Sequence, residues 1–312
     1  MIKAGVGYSP NENSNQAARE AASQAMERGG LTKADWALVF CTFHHRGSYK
    51  EILKSVCEIT QTENITGCSA VGVLTSSADI EGEPGVSVLA VSSDNMQGTS
   101  FLVYDSEDSG IRAGVEIGER LSPIQGENAL LTLLPDPFHI HPELLFRGVE
   151  SKLGEIPIVG AAASEHPAID TTYEFCGDKV ATGAVSGLLL HGNFTHTVGI
   201  TQGCRPVGVP CIITKADRNI IFELDGYPAF EVLKKQVPRR ILENPRDILR
   251  LLFVAFPPNS SDTEIVGGDY LVRNLIGFNP DSGIIGVAEN VREGQIMTFT
   301  VRHPMMARED LK

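Results

Sequence analysis

The sequence predicts a layered α/β protein with mixed sheets, an internal duplication in its N-terminal two-thirds and a smaller β-rich C-terminal part. Three observations carry this. Apolar strand patterns alternate with helical ones in the early part of the chain. The same order of elements then recurs. The last third mostly drops the helices and runs through strands joined by glycine turns. A single doubly wound parallel sheet does not fit that order.

The first clear element is a helix. Ala17, Ala21 and Ala25 form one row and Ala18, Ala22 and Met26 the row beside it, which is helical spacing. Ser14 or Asn15 is the expected cap, and Gly29-Gly30 the stop. So small a face predicts close packing on a sheet. Trp36 to Phe43 follows as a buried strand. Tyr49, Ile52, Leu53, Val56 and Ile59 mark an amphipathic helix. Ile65 to Ala70 is a short strand running into a glycine-containing loop, and Gly85 to Ser92 another strand.

The recurrence begins at Asn128 to Leu134, an apolar strand like Trp36 to Phe43. A helix over Pro142 to Leu153 follows, with Leu145, Val149 and Leu153 at four-residue steps. Ile156 to Ser164 parallels Ile65 to Ser69, and Val185 to His191 parallels Val86 to Val91. Two repeats, about 30–110 and 125–200, are therefore expected within a first domain over 1–222. The second domain, 223–312, opens on a short helix from Pro228 to Gln236, with Pro in its first turn. A polar link over Val237 to Pro245 leads to a strand at Leu251 to Phe256, and Pro257 to Asp262 is read as a loop. Tyr270 to Ile276, Gly283 to Val287 and Gln295 to Val301 complete the strands, and the tail from Met305 is polar.

Composition narrows the function. Apolar residues make up 42% and charged residues 21%, an ordinary globular balance. The 39 acidic side chains against 26 Lys and Arg give a net charge of -13, which repels phosphate backbones. Nucleic acid and anionic membrane are thus not expected partners. The N-terminus has no apolar core of signal-peptide length, and apolar runs such as Leu251 to Phe256 are too short to span a bilayer. The expected location is the cytoplasm. Cys41, Cys57, Cys68, Cys176, Cys204 and Cys211 make no C-x-x-C pair, so reduced structural thiols are expected.

Three stretches resemble the FIST family, named for F-box and intracellular signal transduction proteins. They are Ile65 to Val91, Thr201 to Phe230 and Asp269 to Val301. The strings Gln202-Gly203-Cys204-Arg205-Pro206-Val207-Gly208 and Leu224-Asp225-Gly226-Tyr227-Pro228-Ala229 are the most specific. The resemblance implies a FIST N-type domain followed by a FIST C-type domain over nearly the whole chain. It also implies a stand-alone sensory module for a small ligand, an amino acid or small carboxylate. A signalling protein in a separate chain would then receive the output. The resemblance carries no settled catalytic residues.

The site candidates come from the residues themselves. Gly67-Cys68-Ser69 and Ala163-Ser164 hold matching places in the two repeats, so their loops are expected to face one cleft. Backbone N–H groups near Gly67 would cradle a carboxylate there, with Cys68, Ser69 or Ser164 as donors. The bland alternative is small residues that allow a tight turn. Arg205 offers a planar fork for a carboxylate, or else braces the domain junction against Glu223. Arg273 is a second such Arg, and Asp269 an acceptor for an amino group. Asp136, His139 and His141 suggest metal ligation only weakly, because nothing nearby visibly completes a tetrahedral set; the alternative is that Asp136 caps the following segment. No metal is assigned.

Neither a Gly-x-x-x-x-Gly-Lys loop nor a full dinucleotide fingerprint is present, so no cofactor is assigned. Two other functions stay open: a Cys-dependent hydrolase or acyltransferase with Cys68 as nucleophile, and a ligand-free interaction scaffold. Gly67-Cys68-Ser69-Ala70-Val71-Gly72 is not a Gly-x-Ser-x-Gly elbow, so the catalytic signal is weak and no catalytic residue is assigned.

Overall fold

The computed structural model describes residues 1–105, 109–122, 124, 128–166, 169–199, 203–257, 270–302, 305 and 308. The chain divides into two compact units, Met1–Thr197 and Val198–Lys312.

The first unit follows one path twice. The first passage is β1 (Ile2–Ser9), α1 (Ser14–Gly29), β2 (Trp36–Thr42), α2 (Tyr49–Thr60), β3 (Ile65–Ala70), the hairpin β4 (Gly72–Leu74) and β5 (Asp79–Glu81), and β6 (Val86–Ser93). The second is β7 (Met96–Tyr104), α3 (Ile111–Leu121), β8 (Asn128–Pro135), α4 (Pro142–Leu153), β9 (Ile158–Gly160), the hairpin β10 (Glu174–Cys176) and β11 (Lys179–Ala181), and β12 (Ala184–Gly192). Strand orders match: β1-β6-β2-β3 in one sheet, β7-β12-β8-β9 in the other. Directions match too. β2–β3 and β8–β9 are parallel, and the remaining pairs of each set are antiparallel. The shared path also takes in β1, α1 and α3, which lie outside the two repeats read in the sequence, and β7, which that reading placed in the first repeat and which opens the second passage. The hairpins break the symmetry. β10 adds to β3, extending the first sheet to six strands, while β4–β5 stands alone.

Packing makes four layers. Ala17, Ala21 and Ala25 of α1 and Ile52, Leu53 and Val56 of α2 cover one face of the first sheet. Helices α3 and α4 cover the second sheet through Ile117, Leu121, Leu145 and Val149. The uncovered faces meet through Trp36, Val91, Met96, Leu188 and Phe194. No helix among the described residues is long and apolar enough to cross a membrane.

Local chemistry explains the element ends. The α1 cap is Asn13, ahead of the expected Ser14 or Asn15. Its side chain accepts from the Gln16 N–H, and Gly30 closes the helix at φ 58°. His44 and His45 lie in a 3-10 turn after β2, where Ser14 Oγ meets His45 Nδ1 at 2.9 Å.

The second unit is antiparallel. It contains β13 (Cys204–Asp217), β14 (Ile220–Leu224), β15 (Tyr227–Pro228), α5 (Ala229–Gln236), α6 (Arg239–Leu242), α7 (Pro245–Leu251), β16 (Leu252–Phe256), β17 (Leu271–Asn279), β18 (Ile284–Val287) and β19 (Ile296–Arg302). The expected polar link after α5 is thus α6 plus the start of α7, capped by Asn244, whose side chain accepts from Arg246 N–H. Strand β13 pairs with β19 through its first part and β14 through its last, so the bulged strand joins two edges of the sheet. Phe230, Leu233, Phe256, Ile285 and Phe299 fill the core. Most of the loop read at 257–262 and most of the tail lie outside the described residues.

Candidate functional site

In α/β sheets, ligands bind outside the carboxyl ends of parallel strands. The first unit brings two such ends together. The chain leaving β9 crosses from one sheet to the other. Ala163 N–H donates to Pro135 O at the end of β8 (3.0 Å), and Ser164 N–H to Ser69 O at the end of β3 (3.1 Å). Ser69 N–H then donates to Tyr173 O (2.8 Å).

Side chains lock this crossing. The buried Ser69 hydroxyl donates to Ser164 O (3.3 Å) and accepts from Tyr173 N–H (3.1 Å). The Ser164 hydroxyl accepts from Val71 N–H (3.1 Å). The two places matched in the sequence are therefore direct hydrogen-bond partners.

Next along the crossing, buried Glu165 accepts from the Tyr49 hydroxyl at 3.2 Å. Burial pushes its carboxyl above the usual range, with Ser69, Tyr49 and Arg46 pulling the other way. Its Oε2 is buried without a hydrogen-bond partner among the described residues. Arg46, just past β2, donates from Nε to the Tyr173 hydroxyl at 2.7 Å. A groove of about 540 Å³ opens beside this pair, lined by Arg46, Gly47, Tyr49, Lys50, Tyr173 and Val180.

Behind the crossing lies a second buried carboxyl. Glu174 is fully buried, and Thr172 donates to it at 2.9 Å. Burial, with the Asp136 carboxylate adding to it, pushes Glu174 up to about 8. Asp136 anchors its own turn. Its side chain accepts from Phe138 N–H (2.7 Å) and Gly183 N–H (3.0 Å) and meets His139 Nδ1 at 3.0 Å.

The sequence candidates fall into different roles. Gly67, Cys68 and Ser69 lie inside β3, which is flanked by β2 and β10, so this is not the loop cradle expected for a carboxylate. A Cβ on Gly67 would collide with the Val39 carbonyl oxygen. Cys68 is buried against Phe40, Leu134 and Ala163 between the sheets. Burial, then the carboxyls of Glu174 and Glu165, push its thiol far above the ordinary range. An activated nucleophile needs the reverse, a depressed thiol pKa and access.

Arg205 and Arg273 belong to the second unit. Arg205 is exposed on β13 opposite Val301, while Glu223 stands opposite Lys215. The Arg273 guanidinium pairs with Glu289 and donates to Val272 O at 3.2 Å. Asp269 and Gln202 lie outside the described residues. Arg46, Tyr49, Glu165 and Tyr173 were not singled out as site residues in the sequence, where Tyr49 marks only the apolar face of α2. The matched crossing at Ser164 was the one available signal, since Glu165 adjoins it.

Comparison with known proteins gives a consistent match. The FIST N domain matches residues 35–227 and the FIST C domain residues 229–312. Strands β13 and β14 thus fall within the FIST N match but in the second compact unit. An uncharacterized protein of Mycobacterium tuberculosis is 30% identical over 313 residues, covering 100% of this chain and 79% of its own length. Another, from Methanocaldococcus jannaschii, is 22% identical over 259 residues, covering 78% of this chain and 50% of its own length. Among solved structures, a cyanuric acid hydrolase from A. caulinodans matches at 11% identity. That match covers 62% of this chain and 72% of the hydrolase at a TM-score of 0.35, which carries no argument.

Proposed function

The chain belongs to the FIST family, and from that premise we propose that it is a sensory module binding a small carboxylate, amino acids included, in the groove between Arg46 and Tyr173. FIST domains are associated with signal transduction and sensing. The observation that carries the reading is the groove's charge. Its six lining residues include two cations, Arg46 and Lys50, and no carboxylate. The Tyr173 hydroxyl holds one guanidinium nitrogen and leaves other donors for a ligand. Tyr49 and Tyr173 supply apolar ring surface beside those cations, a common lining for small-molecule sites.

In this reading Ser69 and Ser164 do not touch the ligand. They fix the crossing that carries Glu165 and Tyr173. For an amino acid, Glu165 is the proposed carboxyl partner of the ammonium group, one hydrogen bond behind Tyr49. The receiver of the signal is a separate cytoplasmic protein. A Cys68 enzyme is disfavoured by the buried, protonated thiol.

The test is calorimetric titration with small carboxylates. Arg46→Lys keeps the charge and loses the planar fork, so affinity falls tenfold or more, about 1.4 kcal/mol. Arg205→Lys leaves affinity unchanged. An unaltered affinity in Arg46→Lys removes the groove from the account, and a loss in Arg205→Lys moves the site to the second unit.

A further inference from the structure

The Tyr49 hydroxyl has one hydrogen and two neighbours that can accept it. Its oxygen lies 3.2 Å from Glu165 Oε1 and 3.4 Å from the Thr42 carbonyl oxygen at the end of β2. A phenol donates once, so Tyr49 cannot serve both at the same time. The proton of Glu165 decides between them. When Glu165 is neutral, its carboxyl O–H donates to the Tyr49 oxygen and Tyr49 donates to Thr42. When Glu165 is ionised, Tyr49 turns its hydrogen to Oε1 and releases Thr42.

The other carboxyl oxygen, Oε2, is buried without a hydrogen-bond partner among the described residues. A charge held in a buried site with one oxygen unmet is costly, so the neutral arrangement is favoured before a ligand arrives. The titratable and charged groups around Glu165 do not meet Oε2. Tyr49 comes from α2 and engages Oε1, with the Tyr173 ring centred 5.3 Å away. Arg46, just past β2, attracts the carboxylate while its Nε stays on the Tyr173 hydroxyl. Cys68 of β3 is a protonated thiol, and the neighbouring His166 ring packs on Phe43 at 5.3 Å. What would favour the ionised form is a positive charge brought to Tyr49, and Tyr49 lines the Arg46 groove.

We propose that the groove takes up the ammonium group of an amino acid in exchange for the proton of Glu165, with Tyr49 as the relay between them. The inference rests on the groove reading given above. The carboxyl O–H bond of Glu165 breaks and its proton passes to solvent. Tyr49 then donates to the carboxylate, and its oxygen, no longer accepting from Glu165, accepts from the ammonium group. One positive charge replaces another, so the buried carboxylate is never left unpaired. A carboxylate without an ammonium group offers no exchange and binds with Glu165 still neutral. Amino acids and their des-amino counterparts are therefore told apart by pH as well as by affinity.

The test is calorimetric titration of alanine, leucine and glutamate, each beside its des-amino counterpart propionate, 4-methylpentanoate or glutarate. Between pH 5 and pH 8 the affinity of at least one amino acid rises, by up to about tenfold per pH unit, relative to its counterpart. Glu174 titrates alike in both members of a pair and cancels from this ratio. At pH 6.5 the binding enthalpy of that amino acid differs between PIPES and imidazole, because the released proton is taken up by the buffer, and that of its counterpart does not. Glu165→Gln has no proton to release: the buffer difference vanishes and the preference for the amino acid falls at least tenfold. Tyr49→Phe keeps the ring and gives the same two losses, which a packing role for the ring would not produce. Thermal unfolding checks that each variant is folded. Equal enthalpies in the two buffers, or an amino acid that binds no better than its counterpart at pH 8, overturn the exchange and leave the groove standing if Arg46→Lys still weakens the carboxylates. No binding by either member of any pair at millimolar concentration overturns the groove and the exchange together.

Discussion

Gly67→Ala is expected to destabilise the first unit by roughly 3 kcal/mol or more, a drop in melting temperature of about 10 °C. The added Cβ points at the Val39 carbonyl oxygen and carbon of the adjacent parallel strand. Both colliding groups are backbone, so no side chain can swing away. Relief requires β2 and β3 to move apart, and both are interior strands with neighbours on each side. Ser69, two residues on, would shift with them and disturb its bonds to Ser164 and Tyr173. Thermal and urea unfolding followed by circular dichroism measure this. A loss below about 1 kcal/mol would mean that β3 gives way easily, and would return Gly67 to the list of ligand contacts.

The second large effect is a pH dependence centred on Glu174. Its folded-state carboxyl titrates near 8, against an ordinary value of 4.5. The folded chain therefore holds this proton more tightly than the unfolded chain. The associated stability is complete below pH 4.5 and declines as pH rises through 8. Each pKa unit is worth about 1.4 kcal/mol, so the full span amounts to roughly 5 kcal/mol. Glu165 shifts in the same direction and adds to the slope. Glu174→Gln removes one titrating group and stays neutral throughout. It is expected to match the parent near pH 5 and to exceed it increasingly up to pH 9. Melting temperatures of both proteins at pH 5, 6, 7, 8 and 9 check this, and parallel curves would show that Glu174 is not a buried proton holder.

Much of the fold was legible because several elements carry strong local signals. The alanine rows of α1 and the four-residue steps of α4 show the helical period directly. Strands β2, β6 and β12 are apolar on both faces because each is covered on both sides. What was missed had its signal replaced by close packing. Strand β1 has Gly5 and Gly7 where a strand usually has branched side chains, and a Cβ on either would strike a carbonyl oxygen of α1, Ala25 or Ala21. Helix α3 contains Gly114 and Gly118, poor helix formers that read as breaks. Gly114 meets Gly148 of α4 where the two helices cross, with no room for a Cβ on either.

The site was half legible for a similar reason. Ser69 and Ser164 could be matched because their strands occupy equivalent places. Arg46 and Tyr173 are 127 residues apart, and their contact depends on a hairpin of one passage joining the sheet of the other. That exchange leaves no local pattern to read.

A thermal-shift screen shows whether the first unit holds a carboxylate ligand. The purified protein is melted with small carboxylates and amino acids, each beside its uncharged amide. A ligand at one hundred times its dissociation constant stabilises by about 2.7 kcal/mol, a rise of several degrees. One or more carboxylates are expected to raise the melting temperature while their amides do not, and Arg46→Lys is expected to abolish the rise. Equal shifts from acid and amide, or no shift across the panel, would contradict carboxylate binding.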